Sequence, residues 1–402
     1  MSTNKRIRLA FVGGGRGSAY SRQLALFPEQ AELVALCDQN PAVFEHWKNQ
    51  WPGIKTTTEF QAICDDPEID AVVLATPLLL HAEQAVQLMQ SGKHVLSEVS
   101  ASHSLEGCWE LVETVENTGL VYMMAENFCY SRMNMLVRNM AEQEVFGELT
   151  HAECGYIHDV RSGTIAPDGS LRWRGELLRD FNGVNYPTHS LGPVSQWLGI
   201  NRTDSFDYMI TIASKPASQV AYCRELFGAE HPGAKPEFWK QGDSALSLIR
   251  TKSGVVIYLR NDFSSPRPWN YLHYGLQGTL GAFVSGRDIK EEPLVWLRSF
   301  ASGTTDSDTA AWQSLWKYAA DYEHPWWKEN KAVAETADKR FGDYFILKEF
   351  LSAIQEGRQP EFDVYDAVAI SSVFPLSVQS IEKNGQPVHF PNFTKNKPSG
   401  SK

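Results

Sequence analysis

The sequence predicts an α/β protein in two parts, an N-terminal doubly wound parallel sheet and a C-terminal α/β domain with an open, mainly antiparallel sheet. Two observations carry this expectation. The first 125 residues hold short, continuous apolar runs separated by helical stretches at the spacing of βαβ units, and continuous runs imply a sheet covered on both faces. Beyond about residue 145 apolar and polar residues alternate, as they do in strands with one face packed and the other open. At 402 residues the chain has room for two or three domains. The expected partition is 1–125, 126–393 and a polar, mobile tail at 394–402.

Each element is marked by local signals. Ile7 to Val12 is the first apolar run; it stops at Gly13-Gly14-Gly15-Arg16-Gly17, and a helical pattern then continues to about Leu26. Leu33 to Cys37 is a second buried strand, ending at Asp38, and residues 41–50 read as a helix. Ala71 to Ala75 is a third strand that ends in Thr76-Pro77. His81 to Ser91 is a helix stopped by Gly92, and His94 to Leu96 is a strand leading to Glu98. In the second part the alternating strands are Thr150 to Tyr156, Tyr208 to Ile212, Ala245 to Arg250 and Val255 to Leu259. Lys252-Ser253-Gly254 turns the last two into a hairpin. A tryptophan-rich stretch at 312–327 precedes a helix at about 341–356 that ends at Gly357.

Composition excludes several partners. With 37 basic and 48 acidic residues the formal net charge is −11, a field that repels a polyphosphate backbone, so no nucleic-acid partner is expected. No apolar run reaches the roughly 18 residues that span a bilayer, so no membrane partner is expected either. The first residues lack the apolar length and cleavage site of a signal peptide, and the six cysteines form no C-x-x-C pair. These features predict a cytoplasmic protein with reduced thiols.

The glycine turn is the first chemical signal. A strand that ends in G-x-G and opens a helix lets the backbone approach a pyrophosphate, whose charge the helix N-terminus favours. Here Gly13 and Gly15 form that pair, Arg16 comes next, and Ser18 holds the third fingerprint position with Gly17 one place early. Asp38 ends the second strand, 23 residues after Gly15, where a carboxylate binds an adenosine ribose 2′-hydroxyl and favours NAD over NADP. A glycine turn alone is weak, and a lone Asp is commonly a solvated loop residue. With strands on both sides, the combination predicts a Rossmann domain that takes NAD.

The segment VVLATPLLLHAEQAVQLMQSGKHVLSE (72–98) resembles the Gfo/Idh/MocA oxidoreductases. The resemblance spans roughly 7–215 and again 320–395, and it implies that Thr76, Pro77, His81 and Glu98 lie around the nicotinamide. It also implies oligomer contacts through the second domain's sheet. The chain departs from the usual dehydrogenase pattern at two places. Glu98-Val99-Ser100 stands where typical members have Glu-Lys-Pro, and Asn185 stands four residues before His189 where an Asp is common. Both changes remove proton-handling groups.

Five further segments form a set: MAENFCYSR (124–132), GYIHDVR (155–161), YPTHSLGPVSQWLGINR (186–202), YEHPWWK (322–328) and VYDAVAISSVFPLS (364–377). Together they resemble the NAD-dependent α-N-acetylgalactosaminidases, a glycoside hydrolase branch of the same fold that also lacks the lysine. That resemblance implies oxidation of the sugar at C3 by bound NAD, loss of the now acidic C2 proton, elimination of the glycosidic oxygen and return of the hydride, with no net redox change. Paired carboxylates are then not required.

Within that scheme His189 is the base at the C3 hydroxyl, because imidazole titrates near neutrality. Tyr156 matches the C2 base. Tyr186 lies three residues from His189, on one face if that turn is helical. Glu126 and Asn185 fall to the sugar and Asn127 to the cofactor. Taken singly, a strand tyrosine packs and a helix-start histidine caps; only the motif set assigns them chemistry. His151, Glu153, His158 and Asp159 fit no zinc spacing, and no metal is expected. The twelve tryptophans are read as core. The runner-up function is a net sugar or polyol dehydrogenase, and the third is a non-catalytic dinucleotide sensor.

Overall fold

A computed structural model describes residues 6–288, 290–298, 312–337 and 342–395. The chain divides into two compact units. One comprises the residues up to Ser131 with Asn330–Ser372 and Phe393–Asn396, and the other comprises Arg132–Glu329 with Val373–Asn392. The first boundary therefore falls six residues beyond the expected 125, and neither unit is one continuous segment. From residue 396 onward the expected tail lies outside the described residues.

The first unit holds six parallel strands: β1 Ile7–Val12, β2 Ala31–Cys37, β3 Lys55–Thr57, β4 Ala71–Leu74, β5 His94–Ser97 and β6 Tyr122–Met124. Their order, β3-β2-β1-β4-β5-β6, reverses direction between β1 and β4. That reversal opens a crevice beyond the strands' C-terminal ends, where sheets of this kind bind ligands. The continuous apolar pattern has its expected meaning: Leu9, Phe11, Val73 and Leu96 are fully buried, and the Trp47 ring packs on Phe11 at 5.2 Å. The helix Gly14–Leu24 stops two residues short of the expected Leu26.

Two later helices complete this unit. Asp343–Glu356 ends at Gly357 in a left-handed conformation, as the sequence predicts. Val364–Ser371 starts on a reciprocal cap in which the Asp363 carboxylate accepts from the Tyr365 and Asp366 N–H groups, and Asp366 accepts from the Asp363 N–H. The helical stretch Val364–Glu382 corrects one expectation. By length and composition it can cross a bilayer, because its serines interrupt an apolar run without making the average polar. However, 78% of it is buried inside the protein, which makes it a core element.

The second unit is a nine-stranded sheet in the order β14-β13-β12-β11-β7-β10-β9-β8-β15. The strands are β7 Leu149–Ile157, β8 Phe206–Ala213, β9 Ser244–Thr251, β10 Val256–Asp262, β11 Asn270–Gly278, β12 Gly281–Val284, β13 Leu294–Leu297, β14 Gln313–Ser314 and β15 Val388–His389. Only the β7–β10 pairing is parallel. The hairpin between β9 and β10 closes through Thr251 N–H to the Val255 carbonyl at 2.9 Å.

One face of the sheet is packed. Trp197, at the end of the helix Thr188–Trp197, meets Tyr274 and Phe283 at 5.6 and 5.7 Å. The other face carries cross-strand rows, Ile210–Leu248–Tyr258–Glu153 and Tyr208–Arg250–Val256–His151. Ile212, Leu248 and Val256 on it are 63%, 45% and 37% exposed.

Candidate active site

In the first unit the site begins at the end of β1. Gly13 has φ +96°, and a Cβ there would lie 2.4 Å from the Ala75 carbonyl oxygen, so no other residue fits. Gly13 N–H donates to the Cys37 carbonyl and Gly14 N–H to Asp38 Oδ2 at 2.7 Å, which ties the turn to the end of β2. Gly17 is held by packing, since a Cβ would sit 3.0 Å from the Phe11 ring. The space before Gly15 is clear of protein to 4 Å, and Ser18 Oγ donates back to the Gly15 carbonyl.

These features fit a dinucleotide. The backbone of Gly13, Gly15 and Arg16 at the helix start would hold the pyrophosphate. Asp38 Oδ1 accepts from Asn40 N–H, which leaves lone pairs on the carboxylate for a ribose hydroxyl.

Around Glu98 the residues form a charged cluster. The Arg16 guanidinium pairs with Glu98 Oε1, and the Tyr20 hydroxyl donates to the same oxygen at 2.9 Å. Burial, opposed by Arg16, holds the Tyr20 phenol well above its ordinary pKa, so it stays a donor. Val99 N–H donates to Glu98 Oε2, and the Val99–Ser100 peptide is cis. Asp343, absent from the sequence expectations, lies 3.9 Å from Arg16 and accepts from Asn127 Nδ2 at 2.8 Å. The buried Asn127 Oδ1 has no hydrogen-bond partner, which leaves an acceptor ready for a ligand's N–H.

The remaining expected residues of this unit act more by position. His81 is 1% exposed, and its ring nitrogens meet the Ser100 and Thr76 carbonyls at 2.9 and 2.7 Å. Burial lowers its pKa against the pull of those two carbonyls. It is a staple between the turns that carry Thr76 and Ser100. The Thr76 hydroxyl donates to Gln84, Pro77 begins the turn into the next helix, and Glu126 is buried with Oε1 accepting from Phe128 N–H.

In the second unit Tyr156, Tyr186 and His189 come together as the sequence expects. Ring centroids are 5.2 Å apart for Tyr156–Tyr186, 5.3 Å for Tyr156–His189 and 5.1 Å for Tyr186–His189. Phe263 lies against both tyrosines. Tyr186 lies before the helix, which starts at Thr188 after Pro187, so the rings meet across the helix start rather than along one helical face. Asn185 is corrected from sugar contact to scaffold. It is fully buried, with Nδ2 donating to Gln241 and Oδ1 accepting from Asn261.

His158, which the sequence analysis weighed only as a metal ligand, joins this cluster. The Tyr156 hydroxyl lies 2.9 Å from its Nδ1. Burial first, then the neighbouring Arg174 guanidinium, lowers its pKa to about 4 against the opposing pull of Asp159. At neutral pH the imidazole is therefore uncharged, and in the tautomer protonated at Nε2 its Nδ1 accepts from the phenol. Asp159 itself is taken bidentately by Arg161 at 2.8 Å, which withdraws the nearest carboxylate from proton transfer.

Parallel strand order, the glycine turn and Asp38 define the class: a protein with a Rossmann-type dinucleotide-binding domain. Residues 7–126 match the oxidoreductase family with an NAD-binding Rossmann fold, and residues 130–399 match the C-terminal domain of glycosyl hydrolase 109. A glycosyl hydrolase family 109 protein of Solibacter usitatus is 35% identical over 98% of this chain and 90% of its own length. An alpha-N-acetylgalactosaminidase of Shewanella oneidensis is 34% identical over 97% of this chain and 85% of its own.

Among solved structures, levoglucosan dehydrogenase in complex with NADH and levoglucosan is similar with TM-score 0.74 and 19% identity, covering 96% of this chain and 100% of that one. The WlbA dehydrogenase of Bordetella pertussis, in complex with NADH and UDP-GlcNAcA, gives 0.71 and 17%, covering 97% and 99%. At these identities the likeness shows the fold. The chain belongs to glycosyl hydrolase family 109 and is an NAD-dependent glycoside hydrolase of the Gfo/Idh/MocA fold.

This geometry has two measurable outcomes. Calorimetry should find NAD⁺ bound more tightly than NADP⁺, and Asp38→Ala should narrow the preference by about tenfold or more, because a carboxylate repels a 2′-phosphate; equal binding by the unaltered protein contradicts the role of Asp38. His158 stays neutral in the folded state down to about pH 4, whereas an unfolded histidine takes a proton near 6.5. Its contribution to stability is therefore complete above pH 6.5 and is lost as pH falls toward 4. His158→Gln should make the drop in melting temperature between pH 7 and 4.5 smaller by about 2 °C, and an unchanged drop would show that His158 titrates normally.

Proposed function

We propose that the chain cleaves glycosides of an N-acetylhexosamine, of the class named by its Shewanella relative, through C3 oxidation, C2 deprotonation and elimination. The observation that carries this reading is the Tyr156 hydroxyl held on His158 within a cluster that includes His189 and Tyr186. Bound NAD supplies reversible oxidation at C3, which acidifies the proton on C2. His189 takes the C3 hydroxyl proton. Tyr156 removes the C2 proton while its own phenolic proton passes to His158, so the base acts with no net charge left on the phenol. The glycosidic oxygen departs from C1 with its electron pair and takes the proton held on His158; water then adds across the double bond, its hydroxyl to C1 and a proton to C2, the hydride taken from C3 returns there, and His189 gives its proton back to the C3 oxygen. Arg16, Tyr20 and Asp343 hold Glu98 and Asn127 in fixed orientation on the cofactor unit.

Cleavage in deuterated water should place deuterium at C2 of the released sugar, read by NMR. Tyr156→Phe should keep C3 oxidation, seen as nicotinamide reduction without turnover, and lose C2 exchange; His189→Ala should lose both, each by about 10²–10⁴-fold. A product free of C2 deuterium, or a steady build-up of reduced cofactor matched by oxidised sugar with its glycosidic bond intact, removes the elimination reading in favour of a net dehydrogenase.

We also propose that a second copy of the chain covers the open face of the nine-stranded sheet. Its support is the exposure of Ile212, Leu248 and Val256 together on that one face. Leu248→Asp with Ile212→Asp should lower the sedimentation coefficient to that of a single chain, with the far-ultraviolet circular dichroism unchanged. An unaltered coefficient places any self-association elsewhere.

A further inference from the structure

Trp269 stands apart from the other large rings near the cluster. It is 52% exposed, whereas Tyr156 and Tyr186 are half-buried and His189 is 9% exposed. Its indole meets the His158 ring edge-on, with centroids 4.5 Å apart and planes at 77°. His158 in turn bonds Tyr156, so Trp269 lies one ring farther out than the groups assigned to C2 and C3.

An exposed tryptophan on a loose loop would mean little. This one is mounted on a fixed strap. Asp262, fully buried at the end of β10, accepts from the Ser264 and Ser265 N–H groups and from the Ser265, Ser244 and Arg260 side chains. The carbonyl of the same Asp262 accepts from His158 N–H at 2.9 Å. Pro266 and Pro268 stiffen the strap before Trp269, and Asn270 pairs with Ile157 at the start of β11. One buried carboxylate residue thus anchors both the His158 backbone and the strap that carries Trp269. The ring faces the Tyr156 side of the sheet, away from the rows of Ile212 and Leu248.

We propose that Trp269 is the platform for the sugar on the aglycone side of the scissile bond, which makes it a determinant of specificity for oligosaccharides over glycosides with small leaving groups. The inference rests on the glycosidase reading above. The reacting ring must sit with the sheltered Tyr156 and His189, and its leaving group must extend toward solvent. A pyranose presents a face of polarised C–H groups, which complements the negative face of an indole and covers apolar area that water otherwise meets. Such an edge-anchored, half-exposed ring tolerates different hydroxyl configurations, so it recognises a pyranose as a class.

The test compares two glycosides of one donor: methyl α-N-acetylgalactosaminide, and the disaccharide in which the same donor is α-linked to galactose. Trp269→Ala should lower kcat/KM for the disaccharide by about tenfold, mainly through KM, and change the methyl glycoside by less than about twofold. Trp269→Phe should recover part of the loss, and the melting temperature should stay near that of the unaltered protein. An equal loss on both glycosides, or no loss on the disaccharide, overturns the subsite while leaving the glycosidase reading intact. If the unaltered protein cleaves neither glycoside and neither sugar reduces its cofactor, the glycosidase reading fails and the subsite falls with it.

Discussion

The close passage of the chain at Gly13 is the constraint on which the cofactor unit depends. With the Ala75 carbonyl 2.4 Å from where a Cβ would be, the ends of β1 and β4 are locked together at the point where strand order reverses. That lock aims the first helix, whose N-terminal amides then face the crevice. It also brings Gly14 N–H within reach of Asp38, so the carboxylate expected to meet the ribose is also a brace of the turn. A side chain at Gly13 would disturb phosphate binding, ribose recognition and the β1–β4 junction at once.

In the second unit the proposed base is a phenol, which has to act near neutrality. A tyrosine hydroxyl has an ordinary pKa of about 10, far above what proton abstraction at pH 7 favours. Lowering it with a nearby cation would also weaken it as a base. The structure instead supplies an acceptor: an imidazole kept uncharged by burial and by Arg174. Arg161 neutralises Asp159, whose unscreened charge would raise the His158 pKa toward protonation. The bidentate pair thereby protects the Nδ1 lone pair on which the Tyr156 proton rests.

Much of this was legible in the sequence because it is local. Continuous apolar runs marked the parallel strands, Gly13 and Asp38 marked the crevice, and alternation marked the open sheet, each within a window of a few residues. What escaped was long-range or depended on burial. Asp343 is 216 residues from Asn127 and carries no motif. His158 was legible only as a poor metal ligand, because spacing says nothing about which ring nitrogen meets which hydroxyl. Asn185 reads as a polar residue beside a catalytic histidine, yet Gln241 and Asn261, 56 and 76 residues away, enclose it. The Tyr186–His189 contact was read for the case of a helical turn, and Pro187 lets the helix begin only afterwards.

The valine at position 99 acquires a physical meaning in this arrangement. Where related oxidoreductases are expected to carry a lysine that moves a hydroxyl proton, this chain keeps the neighbouring Glu98 but surrounds it with Arg16, Tyr20 and its own Val99 N–H. A carboxylate that accepts these bonds is held in one orientation by them. Its cluster serves to orient groups. The rings of Tyr156, His158 and His189, which belong to the other unit, are the ones suited to passing protons. A dehydrogenase needs one proton moved at the hydroxyl it oxidises; an eliminating glycosidase needs a second at the adjacent carbon. The tyrosine–histidine pair of the second unit is the feature that the proposed elimination asks for and that an oxidation alone does not.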